Sequence, residues 1–409
     1  MAADRMVIVG AGLAGAKAAE SLRERGFDGE VVLIGGESHR PYERPPLSKG
    51  YLAGKTGQEE VFVHTADFYA EQRIDLRLGV DVTGVDRAGH RVELADGSVV
   101  GYDKLLLATG SSPRALPVPG ADARGVHLFR RLDDSDAIKA TLQPGLRLAV
   151  IGAGWIGLEV AAAARAAGVA VTILESLELP LLRVLGPEVA LVFADLHAEH
   201  GVDLRFGVQV REITTVDGVA TGVRLADGTE VQADNVLVAV GAAPNTGLAE
   251  RAGLEVDNGV RTDAALRTSD PDIIAAGDVA SAMHPLLGKH IRVEHWANAL
   301  NQPATAAATM LGIPASYDEL PYFYTDQYDL GMEYIGYVEP GGYDRVVFRG
   351  DVNKREFIAF WLRENRILAG MAVNVWDVID PIKALIRDGA VVDPDRLADP
   401  DHPLETFGR

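Results

Sequence analysis

A heptapeptide occurs twice in this chain: Val9-Gly-Ala-Gly-Leu-Ala-Gly15 returns as Ile151-Gly-Ala-Gly-Trp-Ile-Gly157. The likeness runs on for the length of a domain. Leu94-Ala-Asp-Gly97 is followed by Leu105-Leu-Leu-Ala-Thr-Gly110, and Leu225-Ala-Asp-Gly228 is followed by Val236-Leu-Val-Ala-Val-Gly241. A repeat on this scale means that whatever fold the first copy adopts, the second adopts too. In each copy a short apolar strand meets a glycine turn, then an Ala-rich helix (residues 13–25 and 155–167), then a second apolar strand at 31–34 and 171–174, which is a βαβ unit. The Asp-Gly pairs between alternating apolar stretches read as two-residue hairpin turns, so each copy predicts an antiparallel meander before a final buried strand. The fold class is therefore α/β with two Rossmann-like domains.

The glycine spacing carries chemistry. A pyrophosphate approaches a helix N-terminus closely only where side chains are missing, and Gly10, Gly12 and Gly15 supply the tight turn, the backbone approach and the helix–strand packing. Gly152, Gly154 and Gly157 repeat the set. Two such motifs imply two dinucleotides, or one dinucleotide and a degenerate copy, and redox chemistry favours one tightly held flavin and one exchangeable nicotinamide. In the second copy Glu175 ends the second strand, about 23 residues past Gly152, where a carboxylate can accept a ribose 2′-OH. The first copy has Gly35 at that place, with Glu37 two residues later as the candidate ribose contact.

The chain of 409 residues contains no cysteine, which excludes structural disulfides, thiolate zinc sites and an intrinsic cysteine-ligated iron–sulfur cluster. It also excludes the redox-cysteine chemistry that other two-dinucleotide flavoproteins use. A formal net charge of −20 opposes nucleic-acid binding. The first six residues run straight into Val7-Ile8-Val9, no run of about 18 apolar residues occurs, and the expected address is cytoplasmic.

From about Pro321 the glycine motifs stop. Aromatic residues then alternate in strand-like fashion at Tyr322-Phe-Tyr324, Val346-Val-Phe348 and Phe357-Ile-Ala-Phe-Trp361, predicting a smaller C-terminal α+β domain over 321–409. Its Pro- and Asp-rich tail, 393–403, predicts an extended or loosely held segment.

Four segments together, Arg40-Pro-Tyr-Glu-Arg-Pro-Pro-Leu-Ser-Lys49, Ala108-Thr-Gly110, Gly277-Asp278-Val279 and Glu294-His-Trp-Ala-Asn298, resemble the oxygenase-coupled, NADH-dependent ferredoxin reductases of bacterial P450 and aromatic dioxygenase systems. Tyr322-Phe-Tyr-Thr-Asp-Gln-Tyr-Asp329 resembles that family's aromatic Ser-Asp-Gln segment, although Tyr and Phe stand where the family often has Trp, which puts in doubt any role of a tryptophan in electron exit. The resemblance implies a glutathione-reductase-like arrangement. A discontinuous FAD-binding domain would span 1–113 and 246–320, and an NAD-binding domain 114–245. It implies non-covalent FAD, with NADH as co-substrate. Arg44 and Lys49 would lie near the flavin, Arg130 along FAD, Asp278 on the ribityl chain and Trp296 beside the isoalloxazine, with Ala108, Thr109, Gly110 and Gly277 in the FAD site. Glu159 and Gly241 would belong to the nicotinamide side, where Glu159 could hold Lys49.

With no thiol, electrons must leave from the flavin itself, and the expected function is a reductase that takes a hydride from NADH onto FAD and passes electrons singly to a [2Fe–2S] ferredoxin. Lys49 and Glu159 are the expected catalytic pair. The alternative is an NADH-responsive binding module resembling apoptosis-inducing factor. An acidic chain needs a local basic face to dock an acidic ferredoxin, and Lys289, Arg292, Lys354 and Arg355 are the candidates. NADH preference over NADPH is expected because the first arginine past Glu175 is Arg183. Arg183, or Arg211 from another loop, remains able to fold back.

Overall fold

The computed structural model describes residues 4–407. The chain packs into two compact units. The first comprises Met1–Glu43, Gln58–Ser112 and Ala243–Pro321; the second comprises Arg44–Gly57, Pro113–Ala242 and Tyr322–Arg409.

The first unit is built on a five-stranded parallel sheet in the order Ile273–Ala275, Lys104–Leu107, Arg5–Val9, Glu30–Gly35, Ile74–Leu78. Its strands read as unbroken apolar runs because both faces are covered. Met6, Ile8, Val31, Leu33, Leu106 and Ile274 point into one core. Val7, Val9, Val32, Ile34, Leu105 and Leu107 point into the other, beneath the meander Val82–Asp86, Arg91–Leu94, Val99–Gly101. The glycine helix is Leu13–Glu24, and it packs beside a long helix, Trp296–Met310, over the first of these cores.

The second unit repeats the plan with the order Asp203–Arg205, Ala170–Leu174, Arg147–Ile151, Asn235–Val238, Val126–His127. Its glycine helix is Trp155–Ala166 and its meander is Val210–Val216, Val219–Leu225, Glu230–Gln232. The glycine turn leaves the central strand between its two parallel neighbours, Glu30–Gly35 and Lys104–Leu107 in the first unit and Ala170–Leu174 and Asn235–Val238 in the second, which is where the strand order reverses and where open α/β sheets bind ligands.

The C-terminal sheet is antiparallel, ordered Tyr322–Gln327, Leu330–Gly336, Arg366–Val373, Glu356–Arg363, Arg345–Asp351. Helix Ile379–Asp388 lies on it, and Gly370 lacks a side chain where Ile382 comes down, since a Cβ there would sit 2.7 Å from Ile382 Cγ2.

One expectation is corrected. The tail is not loosely held: Asp393 caps a helix at Pro394–Ala398 by accepting from the Asp395 amide. The Arg349 guanidinium donates to the carbonyls of Leu397, Asp399, Pro400 and His402, so four backbone acceptors converge on one side chain. Residues 44–57 pack in the second unit. Ser135 Oγ donates to the Leu47 carbonyl at 2.8 Å, Lys139 Nζ to the Tyr51 carbonyl at 2.9 Å, and the Tyr51 hydroxyl to Asp136 at 2.6 Å.

Candidate functional site

The two glycine turns show which glycine does what. A Cβ on Gly10 (φ +115°) would collide with the Ala108 carbonyl, and one on Gly15 with the Gly10 carbonyl. On Gly152 (φ +103°) and Gly157 it would meet the Ala239 and Gly152 carbonyls. The first and third glycines are therefore required by packing of the protein against itself. Gly12 and Gly154, in contrast, face open space with nothing within 4 Å. Both begin their helices as N-cap residues with no side-chain cap and no acidic residue in the first turn. Helix N-termini left uncapped beside a side-chain-free face fit a pyrophosphate.

In the first unit Gly10, Gly12, Gly15, Glu37, Ala108, Thr109, Gly110, Gly277, Asp278 and Trp296 come together. Ala108 is the residue that the Gly10 turn rests on. Thr109 and Gly110 are tied to Asn245, whose amide donates to the Thr109 carbonyl at 2.8 Å and whose backbone N–H donates to Gly110 at 2.9 Å. Glu37 accepts from the Tyr42 hydroxyl. Gly35 stands at the strand end because a side chain there would strike Ala11 of the glycine turn. Asp278 is buried and accepts from Ser111 Oγ at 2.8 Å, while the Gly277 amide donates to buried Gln302 at 2.8 Å. Beside Asp278, burial pushes His295 down to about 4, against the pull of that carboxylate. Burial raises the Glu43 carboxyl, and the nearby polar edge of the Trp296 indole opposes the rise. Ser111, Asn245, Gln302 and Glu43 were not singled out from sequence. Ser111 could have been, since it directly follows the Ala108-Thr-Gly110 turn.

The second unit holds Arg44, Lys49, Arg130, Gly152, Gly154, Gly157, Glu159, Glu175 and Gly241. Arg44 donates to the Arg130 carbonyl, which joins two residues far apart in sequence. Glu175 accepts from the amides of Ala153, inside the glycine turn at 2.8 Å, and of Leu177 at 2.9 Å. A carboxylate has about four acceptor positions, so it retains capacity for a hydroxyl donor. Arg205, at the end of the neighbouring strand, is tied to Asp203 at 2.9 Å. Gly241 lies three residues past the strand Asn235–Val238, with φ +97°.

At the centre of this unit Glu159 is 4% exposed on its helix. Lys49 Nζ lies 2.8 Å from its Oε1, Ser48 Oγ donates to its Oε2, and Thr325 Oγ1 donates to its Oε1 at 2.6 Å. A buried carboxylate is costly unless charge and hydrogen bonds compensate it, and here three donors from two distant segments do so. Lys49 also lies 5.5 Å from the centroid of the Tyr324 ring. Asp326 is raised by burial and by Glu159, with Lys49 opposing. Sequence reading found Lys49 and Glu159. It missed Ser48 and Thr325, whose hydroxyls have no signature of their own.

Residues 4–303 match the pyridine nucleotide-disulphide oxidoreductase family and residues 322–407 the reductase C-terminal family. The ferredoxin–NAD(+) reductase component of the anthranilate 1,2-dioxygenase system of Burkholderia cepacia is 44% identical, with 100% of each chain covered. Putidaredoxin reductase of Pseudomonas putida is 41% identical over 98% of this chain and 96% of that protein. The crystal structure of the covalent putidaredoxin reductase–putidaredoxin complex superposes with a TM-score of 0.95 at 40% identity, covering 99% of this chain and 98% of the other.

The glycine geometry separates folding from binding. Gly12→Ala meets no atom, so the variant is expected to fold with a melting temperature close to that of the parent while losing most of its bound dinucleotide. Gly10→Ala, strained and in collision, is expected to fold poorly or not at all. Thermal melts of the apoproteins together with cofactor content check both.

Proposed function

The chain belongs to the pyridine nucleotide-disulphide oxidoreductase family and is an FAD- and NAD(H)-dependent ferredoxin reductase of the oxygenase-coupled kind, and we propose that the Lys49–Glu159 pair organises its hydride-transfer site. The observation that carries this reading is the buried carboxylate of Glu159, on the second glycine helix, paired with Lys49 in a chain without cysteine. Bound NADH and FAD supply the redox chemistry, a hydride in and single electrons out. The protein supplies position and charge. Lys49, immobilised by Glu159, presents a fixed cation where negative charge grows on the reduced flavin, and a cation already in place needs no reorganisation at the moment of transfer. Glu159 forms part of the nicotinamide side. Gly10, Gly12, Gly15, Glu37, Arg44, Thr109, Arg130, Asp278 and Trp296 hold FAD, and Gly152, Gly154, Gly157, Glu175 and Gly241 hold NADH.

Lys49→Met is expected to keep FAD, lower its reduction potential and slow reduction by NADH by about tenfold or more, equivalent to about 1.4 kcal/mol of barrier. Glu159→Gln is expected to slow the same step. Anaerobic stopped-flow and spectroelectrochemistry read both, and parent-like rates in both variants would remove this pair from the site.

We propose that the partner is a [2Fe–2S] ferredoxin docking through basic residues, and the four candidates differ in availability. Arg292 has an 11% exposed side chain and bonds Glu294 and the Asp278 carbonyl, while Arg355 pairs with Glu199 at 2.6 Å. Lys354 is 72% exposed, next to Asp351, and Lys289 opens the strand Lys289–Ile291. Lys354→Gln and Lys289→Gln, made separately, are expected to raise the ferredoxin KM several-fold at low salt and little at high salt. An unchanged KM at low salt places docking elsewhere.

NADH preference follows from Glu175. A 2′-phosphate beside its carboxylate would set like charges a few ångströms apart, costing on the order of 1 kcal/mol in water and several when partly desolvated. Arg205 is occupied by Asp203. The parent is expected to favour NADH in kcat/KM by at least about tenfold. The double variant Glu175→Ala, Ser176→Arg should shift the ratio toward NADPH, and equal use of both nucleotides by the parent contradicts this role.

A further inference from the structure

Thr325 is the first link of a longer chain of hydrogen bonds. Gln327 Nε2 donates to Thr325 Oγ1 at 3.2 Å, Gln327 Oε1 lies 2.8 Å from His197 Nε2, and His197 Nδ1 lies 3.3 Å from the Tyr328 hydroxyl. Thr325, Gln327 and His197 are all buried. The ring of His200 stacks on Tyr328 with centroids 3.6 Å apart and closes the outer end. The chain starts on strand Tyr322–Gln327 of the C-terminal domain and crosses to helix Pro187–Glu199 of the nucleotide-binding fold.

The chemistry of each atom fixes the direction. Ionised and paired with Lys49, the Glu159 carboxylate can only accept, so the Thr325 hydroxyl proton lies on that bond and its lone pair is left for the Gln327 amide NH2. That turns the Gln327 carbonyl oxygen toward His197. A carbonyl can only accept, so His197 must carry its proton on Nε2, which leaves Nδ1 to accept from Tyr328. Every donor in the chain points toward Glu159. Burial, aided by His200 and opposed by the Gln327 bond, pushes His197 down to about 4, so it is neutral near pH 7, as the chain requires.

We infer that Thr325, Gln327 and His197 are positioning residues: a one-way donor chain by which the C-terminal domain holds the Glu159 carboxylate in the orientation that meets Lys49 and Ser48. The effect on turnover rests on the proposed role of Glu159, whereas the chain itself does not. Without it, a carboxylate held only by Lys49 and Ser48 would retain rotational freedom about its terminal torsion. Packing alone would ask these residues only to be satisfied. A directed chain also makes the proton position on His197 depend on a hydroxyl two links away.

The test uses the flavin-loaded enzyme, with 15N-labelled histidine spectra near pH 7 and anaerobic single-turnover reduction by NADH. The parent is expected to show His197 as the neutral Nε2–H tautomer. Thr325→Val removes the hydroxyl at nearly constant shape and frees the Gln327 amide to turn over, so His197 should shift wholly or partly to the Nδ1–H tautomer. Flavin reduction should slow about tenfold, while the NADH dissociation constant changes less than about twofold. Thr325→Ser, which keeps the hydroxyl, should restore the parent spectrum and rate. An Nδ1–H or doubly protonated His197 in the parent overturns the inference. So does an unchanged His197 in Thr325→Val, or a parent-like reduction rate in Thr325→Val when Glu159→Gln is slow. If the tautomer shifts as expected but Glu159→Gln reduces at the parent rate, the chain stands and the role of Glu159 in hydride transfer fails.

Discussion

The second unit is organised around one buried carboxylate. Glu159 is removed from water on a helix that the glycine turn positions, and its charge is tolerable only because Lys49, Ser48 and Thr325 all reach it. Those partners come from a loop before the first meander and from the first strand of the last domain. A charge that needs donors from both ties each segment to the nucleotide-binding sheet more specifically than apolar contact could, because apolar packing tolerates sliding and a charged hydrogen bond does not. A run of ring contacts, Trp155 to Phe323 to Tyr334 to Trp361, supplies the apolar part of the junction between the same helix and the C-terminal sheet.

The two glycine turns show a division of labour that their sequences conceal. Within each motif the outer glycines answer to the fold, since the neighbouring carbonyl leaves no room for a Cβ, and the middle glycine does not, since the protein itself leaves that space open, as a bound pyrophosphate would require. The same distinction explains why the strand ends differ. Gly35 is forced by contact with Ala11, while Glu175 fits at the corresponding place and uses its carboxylate to brace the glycine turn through the Ala153 amide. One position thus serves close packing in one copy and polar bracing in the other.

The family name speaks of disulphides, yet this chain has no sulfur to exchange. What this chain has in its place is a polar network around Glu159 that takes in Lys49, Ser48 and Thr325, more extensive than its two sequence-legible members suggested.

The sequence by itself determined the repeat, both parallel sheets with their meanders and the glycine turns, because each of these is written in local periodicity or in motifs of fixed spacing, whereas the pairing of Lys49 with Glu159 was legible only through the family resemblance. It also placed the C-terminal strands, whose aromatic alternation is local. Only the tertiary structure decided that residues 44–57 pack with the second unit, that Arg349 gathers the tail, and that Thr325, Gln327 and His197 line up behind Glu159. Each of those is a contact between residues distant in the chain and made by side chains common at any surface. A hydroxyl, an amide or an arginine has no periodicity to betray it, and its partner is chosen by where the backbone places the one acceptor that burial has left in need.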